Sequence, residues 1–272
     1  MACGTGAAKI PAAGAGLSVY LRLFEYPLKV KVARSGVMTH HRKVTHVIYD
    51  MDGVLLDTEG FYTKAATIFA ARHGRDFNPE LKSRMIGKKS TDSARIFVES
   101  LGLPVAPEEY LRERESLLNH LLPQAQPMPG AERLTRHLHR AKVPQAVATS
   151  SDTYHFRLKT TLHASWFEVF DCLILGDDPA LKRGKPAPDI FLLAAERLGA
   201  DPMQCLVFED APAGIEAAHA AGMSAVAVPD RIVDPACYAR ADQILSSLVQ
   251  FEPEEWGLPP YPDTCPPENS TG

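Results

Sequence analysis

From residue 44 onward, short apolar runs alternate with longer stretches of helical spacing. Val44–Tyr49 is mostly apolar and ends at an aspartate, which reads as a buried strand. Phe61, Ala65, Ile68, Phe69 and Arg72 keep one face of a helix that Gly74 ends. Helical spacing continues near Pro79–Met85, Thr91–Leu101 and Pro107–Leu121, with no convincing strand between. Pro123, Pro127, Pro129 and Gly130 then break the pattern. Beyond Gly130 the helices Ala131–Ala141, Tyr154–Leu162, Asp189–Leu198 and Ala213–Ala221 alternate with the strands Gln145–Ala148, Cys172–Leu175, Cys205–Phe208 and Ala225–Val228. That alternation predicts an α/β fold: a doubly wound parallel sheet with helices on both faces. The sheet domain spans residues 44–58 and 128–250. An all-helical insert, residues 59–127, interrupts it after the first strand and is large enough to form a small cap.

The two ends differ from this body. Residues 1–43 hold seven Lys/Arg and a single acid, Glu25. Such a leader fits an unstructured tail, an upstream extension whose true start is Met38, or an organelle transit peptide. His40 and His41 read as tail residues. Residues 251–272 carry Pro253, Pro259, Pro260, Pro262, Pro266 and Pro267, which cannot propagate a helix or a central strand, so they read as an extended strap or tail.

Composition narrows the function. With 272 residues, 45% of them apolar, the chain can bury a sizeable core. A net charge of −4 argues against a nucleic-acid partner. No apolar run approaches the roughly 20 residues that cross a bilayer. Five scattered cysteines without a CxxC pair fit a reducing compartment. These features fit a cytoplasmic protein, or an organellar one if the leader is a transit peptide, and the chain is expected to be a monomer.

The chemistry gathers at strand ends, where ligands bind in doubly wound sheets. The first strand ends at Asp50, the second at Thr149-Ser150 and the fourth at Glu209-Asp210. Lys185, in Gly184-Lys185-Pro186, lies in a loop that should reach the same rim. Asp50 and Asp52 are two residues apart, and Gly53 permits a turn after them. Carboxylates packed together need a cation, and an oxygen-only site suits Mg²⁺, with Lys185 as a second compensating charge. Each residue also has a plainer reading. Asp50 could simply end a strand, Thr149 and Ser150 could cap the next helix, Asp210 could start one, and Lys185 could be a solvated lysine.

Together these residues resemble the haloacid dehalogenase superfamily. Asp50-Met51-Asp52-Gly53-Val54-Leu55-Leu56-Asp57 is similar to its first motif. Thr149 matches the hydroxyl of the second, and Lys185 in Gly-Lys-Pro-Ala-Pro-Asp-Ile-Phe matches the third. Glu209-Asp210 matches the acidic pair of the fourth. The order is right, and the resemblance runs from about Val44 to Leu258. It implies a Rossmann-like core with a helical cap, and a phosphatase in which Asp50 is the nucleophile and Asp52 the general acid and base. It implies Mg²⁺ held by the Asp50 side chain, the Asp52 backbone carbonyl and the Asp210 carboxylate. Thr149, the Ser150 amide and Lys185 would bind phosphoryl oxygens. Glu209 would touch the metal or accept from its water, and Asp57 would brace the loop. The loop Met85–Ser90 resembles the cap's specificity loop, so that Lys88 or Lys89 would meet the substrate; the plainer reading is two exposed lysines.

Further stretches, among them Asp57-Thr58-Glu59 and Phe208-Glu209-Asp210-Ala211-Pro212, resemble a subgroup acting on pseudouridine 5′-phosphate or glycerol 3-phosphate. The motif residues do not separate the two, and the expectation leans slightly to the first. A β-phosphoglucomutase-type transferase carries histidine where this chain has Tyr62, and dehalogenases lack the aspartate at position 52. A non-catalytic binding protein is the remaining alternative, and none of Asp50, Asp52, Lys185 or Asp210 is lost.

Overall fold

The structure is a computed structural model that describes residues 41–85, 90–230 and 233–262. Its elements in chain order begin with β1 (His46–Tyr49) and β2 (Leu56–Asp57). Four helices follow: α1 (Glu59–Arg72), α2 (Pro79–Met85), α3 (Ser90–Leu101) and α4 (Pro107–Leu121). Then come β3 (Gln126–Pro127), α5 (Ala131–Arg140), β4 (Gln145–Ala148), α6 (Thr153–Lys159), α7 (Ala164–Phe167) and β5 (Cys172–Ile174). The chain continues through α8 (Asp189–Leu198), β6 (Cys205–Glu209), α9 (Pro212–Ala220), β7 (Ser224–Ala227) and β8 (Gln243–Ile244).

Six strands form one parallel sheet in the order β5-β4-β1-β6-β7-β8. The chain leaves β1 toward one edge through β4 and β5, then returns to its other side with β6. β1 and its two neighbours therefore flank the point where the winding reverses, the place at which such sheets bind ligands.

The strands are buried on both faces because their alternating residues feed two separate cores. Val47, Tyr49, Val147, Leu206, Phe208 and Val226 face Leu134 and Leu138 of α5 and Trp166 of α7. Ile48, Ala146, Ala148, Val207, Ala225 and Ala227 face α8 and α9, where Phe191, Ala194, Ile215 and Ala218 meet them. Small residues on that second face let both helices sit close to the sheet.

The four helices between β2 and β3 build their own core around Phe69, Phe97 and Tyr110, the last two stacked at 4.2 Å. Pro107 starts α4 at a position where a missing N–H costs nothing, with Glu108 and Glu109 in the first turn. The two chain crossings meet in a short antiparallel ladder, Leu56 opposite Pro127 and Asp57 opposite Gln126. Two-residue strands carry no periodicity, and this ladder was absent from the sequence reading, as were α7 and β8. Gly130 follows the return crossing at φ 86°, and a β-carbon there would lie 2.6 Å from the Val249 nitrogen. Only glycine lets that crossing lie against residues 248–249.

The chain ends correct the expected boundaries. Phe251, Trp256 and Leu258 are buried in the first core, and Pro253–Trp256 forms one 3₁₀ turn. The proline-rich stretch is a packed strap through Leu258, because aromatic burial outweighs what proline forbids. The Val44 amide donates to the Trp256 carbonyl at 2.9 Å, and the His41 ring stacks on the Trp256 indole at 4.2 Å. Arg42 reaches the carbonyls of Met203 and Gly222. Residues 41–43 thus belong with the body.

Trp256→Ala should destabilise the protein by about 3–5 kcal/mol, as large-to-small core substitutions do. Urea denaturation followed by circular dichroism measures it. A loss under about 1 kcal/mol would mean that residues 251–258 are a dispensable tail.

Candidate functional site

Asp50 follows β1 directly, and its amide continues the ladder to the Phe208 carbonyl at 2.9 Å. The chain then turns tightly, with the amides of Leu55 and Leu56 both donating to the Met51 carbonyl. Gly53 sits in this turn at φ 75°, and a β-carbon on it would lie 2.4 Å from Asp210 Oδ2. The glycine lets the loop after β1 lie directly against the carboxylate after β6.

Lys185 ties the rim together. Its ammonium donates to Asp50 Oδ1 at 2.5 Å, to the Ala148 carbonyl at 3.2 Å and to Glu209 Oε1. Glu209 is 1% exposed, and its other oxygen accepts from the Ala211 amide at 3.0 Å. The Asp210 carbonyl accepts from the Tyr238 hydroxyl. α9 is capped by Ala211 without a side-chain bond, so Asp210 is no helix cap. Thr149 is fully buried, and its hydroxyl accepts from the Ser151 amide at 3.1 Å. Ser150 is exposed beside Lys182, Arg183 and Lys185. The cap of α6 is Asp152, which accepts from the His155 amide at 2.8 Å, so neither Thr149 nor Ser150 fills that role.

Asp52 has a different set of partners. Oδ1 accepts from the Thr58 hydroxyl at 2.5 Å and the Lys159 ammonium at 2.7 Å, and Oδ2 accepts from the Ser151 hydroxyl at 2.9 Å. Thr58, Ser151 and Lys159 were all missed as site residues. Lys159 is 2% exposed at the end of α6. A lysine ending a helix reads as solvated, and nothing local in the sequence points it inward. Asp57, expected as the loop's brace, is exposed in the short ladder; its neighbour Thr58 makes that bond instead.

Burial raises the Asp50 carboxyl to about 7; Lys185 opposes this, and the Glu209 and Asp52 carboxylates add to it. Burial and the neighbouring Glu209 and Asp50 charges also push Asp210 well above the carboxylate range. Burial would lower Lys185, but Asp50 and Glu209 hold it above the ordinary lysine range. Burial would raise Asp52, but Lys159, Thr58 and Ser151 hold it below its ordinary value. Asp50, Glu209 and Asp210 thus share one lysine, and the charge balance at this rim calls for a further cation.

Among the described residues no group of three or more His, Cys, Asp or Glu side chains converges as a metal site. Glu209 is engaged by Lys185 and Ala211, and the Asp52 carboxylate by its three donors. The set that the resemblance implies is the carboxylates of Asp50 and Asp210 and the carbonyl of Asp52, with Asp50 Oδ1 also accepting from Lys185. Few protein oxygens with the balance made up by water is the donor set that Mg²⁺ takes, so these residues fit it.

Lys88 and Lys89 lie outside the described residues. Their flanking residues Met85 and Ser90 line a cavity of about 340 Å³ within the helical insert, with Glu59, Tyr62, Lys82, Tyr110 and Arg114. A second cavity, about 520 Å³, runs along Gly53 and Asp210. Glu59 and Lys82, 3.7 Å apart, line both.

The family model for haloacid dehalogenase-like hydrolases matches residues 44–222. The chain belongs to the haloacid dehalogenase-like hydrolases. It is 50% identical to (DL)-glycerol-3-phosphatase 2 of Arabidopsis thaliana over 235 residues, 85% of this chain and 98% of that one. It is 46% identical to the probable pseudouridine-5′-phosphatase of Drosophila melanogaster, over 82% of this chain and 97% of the other. Among solved structures, a putative β-phosphoglucomutase from Thermotoga maritima superposes with a TM-score of 0.64 at 28% identity, covering 74% of this chain and 93% of that one. This haloacid dehalogenase-like hydrolase is an enzyme of the phosphatase type, and no helix among its described residues is long and apolar enough to cross a membrane.

The raised Asp50 carboxyl gives a pH signature. The folded metal-free protein binds this proton more tightly than the unfolded chain, so Asp50 costs stability as pH rises from about 4 to about 7. Asp50→Asn removes that loss. Without metal, the melting temperature of the variant minus that of the wild type should be more positive at pH 8 than at pH 5; an equal difference at both would contradict the raised carboxyl.

Proposed function

We propose that this hydrolase cleaves a small phosphomonoester through an aspartyl-phosphate intermediate on Asp50. The observation that carries this reading is the division of labour between two aspartates two residues apart. Asp50 is held by Lys185 beside Asp210, while the Asp52 carboxylate is held by a separate set of donors. An oxygen of Asp50 attacks phosphorus, and the bond from phosphorus to the substrate oxygen breaks. In its protonated form, which Lys159, Thr58 and Ser151 oppose in the arrangement described above, Asp52 delivers the proton that the departing alkoxide needs; it then takes one from the water that attacks the phospho-aspartate. Lys185, the Thr149 hydroxyl and the Ser150 amide stabilise charge on the phosphoryl oxygens. The carboxylates of Asp50 and Asp210 and the Asp52 carbonyl would hold Mg²⁺, which supplies charge neutralisation between nucleophile and phosphate.

The leaving group would enter the cavity in the helical insert. A volume of about 340 Å³ suits a small ligand, and Tyr62 and Tyr110 beside Thr63, Ser90 and Arg114 suit a ring that carries hydroxyls. These features favour pseudouridine 5′-phosphate. Glycerol 3-phosphate is the second reading, favoured by the higher identity to the glycerol-3-phosphatase. Lys88 and Lys89 would contribute to this choice. A phosphate-release screen over these two compounds, nucleotides and sugar phosphates separates the readings, by comparing kcat/KM.

Asp50→Asn should lower turnover by several orders of magnitude with the fold intact, since a carboxamide does not attack phosphorus. Near-normal turnover by that variant would sink the mechanism. A chelator should abolish activity and Mg²⁺ restore it, whereas Ca²⁺ should inhibit, because its larger and looser coordination misplaces the nucleophile. Full activity in excess chelator would refute the oxygen-ligand site.

A further inference from the structure

We propose that Lys159 is a positioning residue that fixes the carboxyl group of Asp52 where it exchanges protons with the leaving group and with water. The inference rests on the acid-base role given to Asp52 above, and on contacts to it from Ser151 and Lys159, which lie in none of the motifs named above.

A lysine in a protein interior is costly unless its ammonium is fully paired. Lys159 is 2% exposed, and the carboxylate it pairs with is Asp52, not Asp50. Its ammonium donates to Asp52 Oδ1 at 2.7 Å and to Ser151 Oγ at 2.8 Å. Ser151 Oγ in turn donates to Asp52 Oδ2 at 2.9 Å. The three side chains close a ring in which both carboxylate oxygens are engaged, from the loop after β4 and from the end of α6. Thr58, at the crossing into the helical insert, adds a fourth group on Oδ1 at 2.5 Å. Turning the carboxylate about its last torsion breaks bonds to at least two of these elements at once.

Two further observations separate this role from plain packing. Each aspartate of the pair has its own lysine, Lys185 for Asp50 and Lys159 for Asp52, so the like charges are drawn to different sides. The side of the ammonium facing the insert is covered by the Tyr62 ring of α1, whose centroid lies 5.5 Å away. Lys159 therefore stands where Asp52, the sheet domain and the first helix of the insert meet.

The test measures the first chemical step, as pre-steady-state release of the leaving group from the magnesium-supplied enzyme. Wild type, Lys159→Met, Lys159→Arg and Asp52→Asn are each given the best alkyl phosphate from the screen and 4-nitrophenyl phosphate. The alkyl leaving group needs a well-placed proton donor, and the nitrophenolate does not. Lys159→Met should lower the alkyl rate by about 100-fold and the nitrophenyl rate by less than about 10-fold, with KM little changed, and Lys159→Arg should recover part of the loss. Melting curves confirm that the variants are folded. If Lys159→Met does not fold, Ser151→Ala, which opens the same ring by one bond, should give a smaller loss with the same leaving-group dependence. Equal losses on both substrates, or none, in the folded variant would overturn the proposal while Asp52→Asn keeps its leaving-group dependence. If Asp52→Asn itself affected both substrates equally, the acid role of Asp52 would fail, and the positioning role with it.

Discussion

Crowded negative charge at the carboxyl end of a parallel sheet is the constraint on which the rest of this structure turns. Three adjacent strands deliver Asp50, Thr149, Glu209 and Asp210 to one rim because their register is fixed by continuous ladders and two buried faces. A strand that slipped by one residue would exchange its two cores. The carboxylates are therefore held together whether or not they repel. One buried lysine bridges Asp50 and Glu209, and burial first, with the remaining excess of negative charge second, raises Asp50 and Asp210. An excess of this kind would be relieved by a cation, which would also offset the charge of an incoming phosphate.

The helical insert is joined to the sheet domain by two chain crossings. Its two crossings are paired in the ladder of β2 and β3, and the Met128 amide donates to the Leu55 carbonyl at 2.8 Å. The insert keeps its own core around Phe97 and Tyr110. Away from the ladder the insert meets the sheet domain through both apolar and polar contacts, with Leu158 of α6 packed against Ala65, Leu118, Leu121 and Leu122. His155 of α6 lies 2.8 Å from Glu115 of α4, and Lys159 of α6 faces the Tyr62 ring. Thr58 links the crossing to the chemistry, since the residue that precedes α1 also holds Asp52.

The sequence by itself determined the layout. Apolar runs of four to six residues, each followed by a helix, specify buried parallel strands, because alternate residues of such a run must both be covered. The helix bounds Pro79–Met85, Pro107–Leu121 and Asp189–Leu198 were legible for the same local reason, with proline or an acid at the start of each. Asp50, Asp52, Thr149, Lys185 and Asp210 were legible because each sits at the end of a strand or in an adjoining glycine-lysine-proline loop, positions that chain order alone assigns to one rim. Tertiary structure decided what the local pattern leaves free. The strap at Phe251–Leu258 packs because its aromatic residues find a groove formed by distant elements, which its prolines do not announce. The β2–β3 ladder is two residues long, below any period. Lys159 looks like a solvated helix end until the fold brings a residue 107 positions away against it. Pairing a buried charge is a property of three-dimensional neighbours, and no window of sequence contains both partners.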